Sequence, residues 1–216
     1  VFERDAGGAD AWGEVRRVTA LDGMPGDSFG FSVSNFLDTL VVGAPEHDHG
    51  APGCGAAYVF LRNAGGPGQW GQAHELVHFD PLDPSASAGD AYGFSVSIGG
   101  HTIAVGVPMD AHTVGPAAGS VYIYERVPSD WNLVSVQTAS DASPGDLLGY
   151  SVDRQFSIDK IIVAAPRHGG AGADSGRAYF FDRNVGGTNH FGEIIQLSAE
   201  DGEAGDLFGS CVALSY

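Results

Sequence analysis

Residues 26–33 read GDSFGFSV, and the phrase returns as GDAYGFSV at 89–96, GDLLGYSV at 145–152 and GDLFGSCV at 205–212. Its aspartates, Asp27, Asp90, Asp146 and Asp206, stand about 60 residues apart, a period that marks a repeat architecture. A second run follows each of the first three phrases: TLVVGAP ending at Pro45, TIAVGVP at Pro108 and KIIVAAP at Pro166. A third run turns aromatic: AAYVF from Ala56, SVYIY from Ser120 and RAYFF from Arg177. A fourth follows an aromatic residue, Trp70, Trp131 or Phe191.

Each unit thus holds four short runs rich in Val, Ile, Tyr and Phe, separated by Gly, Pro, Asp and Ser. That is the strand and turn chemistry of a four-stranded antiparallel sheet. No segment carries a sustained 3.6-residue apolar period with caps, so helices should be few. A sheet apolar on both faces must be sandwiched, and radial stacking supplies a neighbour on each side. The fold class is therefore all-β, a β-propeller built of four-stranded antiparallel blades. The register divides the chain into the end of a blade (1–25), blades at 26–88, 89–144 and 145–204, and the first strand of the next at 205–216. VFERDAGG at 1–8 supports this, since it parallels VFLRNAGG at 59–66 and FFDRNVGG at 180–187. The two ends together lack a second strand, which disfavours a self-closed ring of four. A segment of about three and a half blades from a longer propeller is preferred over a ring completed by another chain.

Glycine is the outlier of the composition, at 33 of 216 residues, as many tight turns between short strands require. The net charge is −17, with 27 acidic residues against 10 basic ones, so the surface repels phosphate and nucleic acid is excluded as a partner. No apolar run is long enough to span a bilayer as a helix. Cys54 and Cys211 are too few for a disulfide framework and occupy different places in the repeat, so a mutual bridge is not expected. No N-x-S/T sequon, G-x-S-x-G elbow, H-E-x-x-H, phosphate loop or helix-opening G-x-G-x-x-G is present, and an enzyme is not expected.

The pairing of [FYL]-G-x-[SC]-V with VGAP-like runs resembles the FG-GAP repeat of integrin α-subunit propellers and many secreted microbial proteins. The resemblance covers nearly the whole chain. It implies an extracellular or cell-surface binding and adhesion module, usually of seven blades. Many such repeats carry a calcium loop between their first two strands, with carboxylates at alternating positions. The matching segments here, SNFLD after Val33, SIGGH after Val96 and DRQFSID after Val152, lack that alternation. The chain resembles the shorter, calcium-loop-free variant, so no cofactor is expected; calcium elsewhere in a full-length ring stays open.

Asp27, Asp90, Asp146 and Asp206 are read as structural turn residues, each satisfying nearby backbone amides beside a glycine. Acidic residues also gather ahead of each first strand: Asp22; Asp80 and Asp83; Asp141; Glu200, Asp201 and Glu203. By family analogy these loops share a recognition rim with those joining strands two and three. The rim residues singled out are Glu46, His47, Asp48, His49, Asp110, His112, Arg167 and His168. His47 and His49 alternate, which suits a transition-metal site if a third ligand comes from elsewhere. Histidine in a Gly/Pro loop is more often a polar surface residue, and no metal is assigned. Trp12, Trp70 and Trp131 precede their strands at matching places, which favours packing between blades over a glycan platform. The expected role is a non-catalytic module presenting rim loops to a protein or glycan ligand. The alternative is a structural subunit of a surface layer or filament, self-associating through its propeller edges.

Overall fold

The structure is a computed structural model in which residues 1–78, 88–185, 187–188 and 190–215 are described. Over the described residues it is all-β apart from one short 3-10 turn, Phe156–Ile158. A two-stranded ribbon, β1 (Phe2–Arg4) and β2 (Trp12–Glu14), precedes three four-stranded antiparallel sheets. The first holds β3 (Ser32–Phe36), β4 (Thr39–Ala44), β5 (Ala56–Leu61) and β6 (Gly71–Val77). The second holds β7 (Ser95–Gly99), β8 (Thr102–Val107), β9 (Ser120–Val127) and β10 (Asp130–Gln137). The third holds β11 (Ser151–Gln155), β12 (Lys160–Ala165), β13 (Arg177–Arg183) and β14 (Phe191–Leu197). In each, the strands pair in chain order, as expected of propeller blades. The sheets stack with β3 beside β7 and β7 beside β11, and the row does not close on itself.

Period-two alternation sends side chains to both faces of each sheet. Val41 and Val59 pack toward the second blade, into a cluster with Tyr92, Val96, Ile103 and Val105. Their neighbours Val42, Tyr58 and Phe60 pack on the opposite face. In the second blade Ala104, Val121 and Ile123 turn toward Ile161, Val163 and Phe181 of the third. Each fully buried Val, Ile or Phe contributes about 1.5–3 kcal/mol, so the blade interfaces carry the fold.

The repeated phrases are the fasteners between blades. Gly55, Gly119 and Gly176 form parallel bridges to Tyr92, Leu148 and Phe208 at the start of the following unit. Ser32 Oγ donates to Gly93 O at 2.8 Å, and Ser95 Oγ to Gly149 O at 2.7 Å. Two residues further on, Ser34 Oγ accepts the amide of Ile98, Ser97 Oγ that of Arg154, and Asp153 Oδ2 that of Leu214. The glycine of the VGAP-like run sits under this contact: a Cβ on Gly43 or Gly106 would lie 2.0 Å from the carbonyl oxygen of Gly93 or Gly149.

Three details differ from the sequence reading. Trp70 and Trp131 are buried, but Trp12 is 69% exposed, because the β1–β2 ribbon has no inner strands to cover it. Residues 211–215 form no ladder, since their amides bond side chains of β11 and no second strand lies beside them. The strand at Trp12 is short and ends at Glu14: Val15 and Arg16 still bond Val1 O, but 15–19 form no further strand. Tyr216, with Asp80 and Asp83, lies outside the described residues.

Candidate functional site

The loops joining strands two and three (45–55, 108–119 and 166–176) lie at the same edge of each sheet as the GD turns that open the first strands. The two are hydrogen-bonded across blades: Gly89 N donates to Pro52 O, Gly145 N to Pro116 O and Gly205 N to Ala173 O, all at 2.9–3.0 Å. This makes one continuous rim, and a cavity of about 620 Å³ opens on it between Met24, Asp27, Glu46, His47, Pro52 and Gly89.

Behind the rim lies a buried polar layer repeated once per blade. Asp27 Oδ2 accepts the amide of Met24 and faces His47 Nδ1, both at 2.8 Å. Asp146 Oδ2 accepts the amide of Ser143 at 2.7 Å and faces His168 Nδ1 at 2.8 Å. Asp206 accepts the amide of Glu203 in the same manner. Burial pushes the Asp27 carboxyl up, but the Met24 amide and the His47 imidazole outweigh it and hold the group below the usual carboxylate range. In the third blade Asp141 joins the pair: it lies 3.5 Å from His168 Nε2, accepts from Tyr179 Oη at 2.8 Å and is clamped by Arg177. Burial and this carboxylate push the Tyr179 hydroxyl far up; Tyr58, beside Asp22 in the first blade, is displaced the same way.

The second blade solves the same packing problem with exchanged residues. The position of His47 and His168, two after the proline, is Asp110, and the imidazole comes instead from His78 just after β6. His78 Nδ1 lies 3.0 Å from Asp90 Oδ2. Asp110 bonds the Ser120 hydroxyl, and burial raises its carboxyl above the ordinary value. His78 stands where the other units carry Ala20, Ala139 and Ala199, so one imidazole fills the layer by a different route.

The rim residues singled out in the sequence therefore divide. His47, Asp110 and His168 are buried in this layer and do not face solvent. Glu46, Asp48, His49 and Arg167 are exposed, and His112 is half-buried with Nε2 3.1 Å from Gly119 O. The acidic Asp22, Glu200, Asp201 and Glu203 also reach the rim loops, with Asp141 turned inward against Arg177. Cys54 is buried and Cys211 exposed, both as free thiols; Cys54 Sγ bonds the backbone of His49 and so pins the loop.

Nearer the inner strands runs a feature missed in the sequence. Phe31, Phe94 and Tyr150 each precede a first strand by one residue, and their rings follow one another at centroid distances of 4.8 and 4.9 Å. Phe31 is 56% and Tyr150 36% exposed. Their matching place in the repeat was visible; their stacking across blades was not.

Among the described residues two groups of donors could hold a cation: His47, His49 and Glu75, and His78, Asp90 and Asp110, each with its donor atoms within 4.8 Å of one another. The carboxylates of the strand-one to strand-two turns are engaged by protein instead: Asp38 by Arg62, Asp159 by Arg154 and Asp153 by backbone amides.

The sequence model of the FG-GAP repeat matches residues 12–60, 70–124 and 131–181. The chain belongs to the FG-GAP repeat family. Each matched FG-GAP unit begins at the outer strand of one blade and runs into the third strand of the next, so the sequence repeat straddles the blade boundary that the fasteners close. FG-GAP repeats usually occur in extracellular or surface proteins, and their propellers are generally non-catalytic. No helix among the described residues is long and apolar enough to cross a membrane. No curated protein matches the chain.

Proposed function

We propose that this FG-GAP chain is part of a non-catalytic binding module of an extracellular or cell-surface protein, and that it receives a protein or glycan ligand on the rim described above. The observation that carries the reading is the row Phe31, Phe94 and Tyr150, exposed at both ends with Phe94 half-buried between, set on the same rim as the charged loop residues Glu46, Asp48 and Arg167. Aromatic faces flanked by hydrogen-bonding groups supply contact area at low entropic cost, the composition from which binding hot spots are built. The buried Asp–His layer beneath holds the loops in place, so little ordering remains to be done on binding.

The test is binding of the protein to immobilised glycans and to extracellular-matrix proteins, compared with Tyr150→Ala and Phe31→Ala variants. At least a tenfold loss in the rim variants is expected, with Asp38→Ala on the opposite edge unchanged. Equal loss in all three would remove the rim from the reading.

A second reading, a subunit of a surface layer or filament, is favoured by the apolar outer faces of the row. Val33 and Leu37 on one side, and Ile195 and Leu197 on the other, are 38–79% exposed. Such faces invite further blades, from the same chain or another. Concentration-dependent assembly without ligand binding would favour it.

A further inference from the structure

The first and third blades differ at three positions that converge on one point of the rim. In the third blade Arg177 opens β13 opposite Ala165, clamps Asp141, and takes the Gln196 Oε1 oxygen at 3.0 Å. A side chain on Gly170 would collide with its guanidinium, a Cβ lying 2.8 Å from Nη2. In the first blade the residue opposite Ala44 is Ala56, too short to bring a charge. Gln196, paired with Tyr179, becomes Glu75, paired with Tyr58; Gly170, four after the proline, becomes His49. Asp141 is matched by Asp22. The third blade thus places one carboxylate against a built-in cation. The first sets two carboxylates and two imidazoles around the same point, and among the described residues no Arg or Lys pairs with either Asp22 or Glu75.

We propose that the first blade binds a first-row divalent cation of the zinc type at this point, through His47 Nε2, His49 Nδ1 and Glu75 Oε1, with Asp22 Oδ2 as a fourth ligand. His49 Nδ1 lies 3.2 Å and His47 Nε2 3.8 Å from Glu75 Oε1, and His47 Nε2 lies 3.7 Å from Asp22 Oδ2. Metal–ligand bonds of about 2.0–2.1 Å in a tetrahedron put the ligand atoms about 3.4 Å apart, so small shifts seat His47, His49 and Glu75, whose donors lie within 4.8 Å of one another, while Asp22, near His47 only, must swing further to close the shell. Glu75 Oε1 is buried without a hydrogen bond, as a carboxylate oxygen awaiting a cation would be. His47 Nδ1 faces Asp27, which accepts hydrogen bonds, so its proton sits there and Nε2 offers a lone pair. That is the carboxylate–histidine–metal arrangement that orients ligating imidazoles. His49 and Asp22 have side chains 49% and 44% exposed, leaving an access path from solvent. Two nitrogen donors select zinc, cobalt or nickel over calcium and magnesium, which take oxygen shells. The bound ion would tie the 45–55 loop to β6.

The test is titration of the metal-stripped protein with Zn2+ by calorimetry, and with Co2+ by its visible d–d absorption, beside His49→Gly and Glu75→Gln, which install the third-blade residues at half-exposed positions. One saturable Zn2+ site is expected, with a tetrahedral Co2+ spectrum, binding weakened at least tenfold in each variant, and melting of the stripped variants close to that of the parent. Excess Ca2+ should not displace Zn2+. Absence of a saturable site, retention of it in both variants, or displacement by Ca2+ would each overturn the proposal.

Discussion

The Nδ1 of His168 lies 2.8 Å from the carboxylate of Asp146, with both side chains less than a tenth exposed. The histidine follows the second strand of the blade and the aspartate opens the first, so this one contact ties the rim loop to the turn that receives the preceding blade. Removing the imidazole by His168→Ala would leave Asp146 buried with the Ser143 amide as its remaining direct partner. Breaking one side of such a pair costs about 3 kcal/mol. Thermal unfolding should show a clear drop in Tm, and Asp146→Asn, which retains an acceptor oxygen, a smaller one. A loss under about 1 kcal/mol for His168→Ala would mean that the pair does not hold the loop.

The VGAP-like run makes a sharper prediction, because the repeat varies it naturally. Gly106 faces the next blade so closely that a Cβ would meet the Gly149 carbonyl oxygen at 2.0 Å and Ser95 Oγ at 2.3 Å. Two backbones cannot part here without opening the blade interface, so Gly106→Ala should cost about 3 kcal/mol or more. The equivalent residue of the third blade is already alanine, Ala164, and the phrase packed on it stands further off: a Cβ built on Gly209 lies 3.2 Å from Arg177 O, against 2.4 Å from Ser120 O for one built on the matching Gly149. Ala164→Gly should therefore cost no more than about 1 kcal/mol. Equal costs for the two substitutions, by denaturant unfolding, would contradict the close-approach account.

Why the repeat was legible and the polar layer was not follows from where each is written. Gly-Asp turns, alternating apolar strands and the aromatic before each fourth strand are local requirements, so they recur in every unit and reveal sheet count and strand order directly. The polar layer is satisfied in three dimensions, so its members can trade places. His78 does in the second blade what His47 and His168 do in theirs, from a strand two elements away, and Asp110 sits where those histidines would stand. A reading by position alone puts His47, Asp110 and His168 together on an exposed rim, whereas the structure buries all three. Asp153 carries a similar lesson: spacing set it apart from a calcium loop, but could not show that its carboxylate bonds the amide of Leu214 as Ser34 and Ser97 bond theirs, a stitch between units.

A phenol pair distinguishes the second blade further. Tyr92 Oη donates to Tyr124 Oη at 2.7 Å, both buried, where the other units have Phe29, Leu148 and Phe208 in the place of Tyr92. Burial pushes the Tyr124 hydroxyl up to about 12, so the pair stays neutral through the physiological range. Tyr92→Phe should cost about 1 kcal/mol, since it leaves the partner hydroxyl buried with a bond unmade. Replacing both tyrosines by phenylalanine should cost less than the sum of the two single changes, which a double-mutant cycle on Tm would read.

The carboxyl of Asp110 predicts a pH dependence of known sign. Burial, reinforced by Asp90, raises it; the Ser120 hydroxyl, His78 and His112 pull it back without cancelling the rise. A group whose folded value lies above its unfolded value of about 3.9 holds a proton in the native chain that the unfolded chain has released. Its contribution to stability is therefore largest below that value and is lost as pH rises through the raised one. Asp110→Asn keeps an acceptor for Ser120 and removes the titration. Below about pH 3 the substitution should leave Tm nearly unchanged, because the parent carboxyl is neutral in both states. At pH 7 the variant should be more stable by about 1 kcal/mol, the scale of a buried charge set beside a second carboxylate. The difference between the two melting curves, taken at each pH, reads the change at position 110. A difference that stays flat across pH 4 to 8, or that favours the parent at neutral pH, would show that Asp110 is held as a carboxylate by the imidazole and not neutralised by its burial.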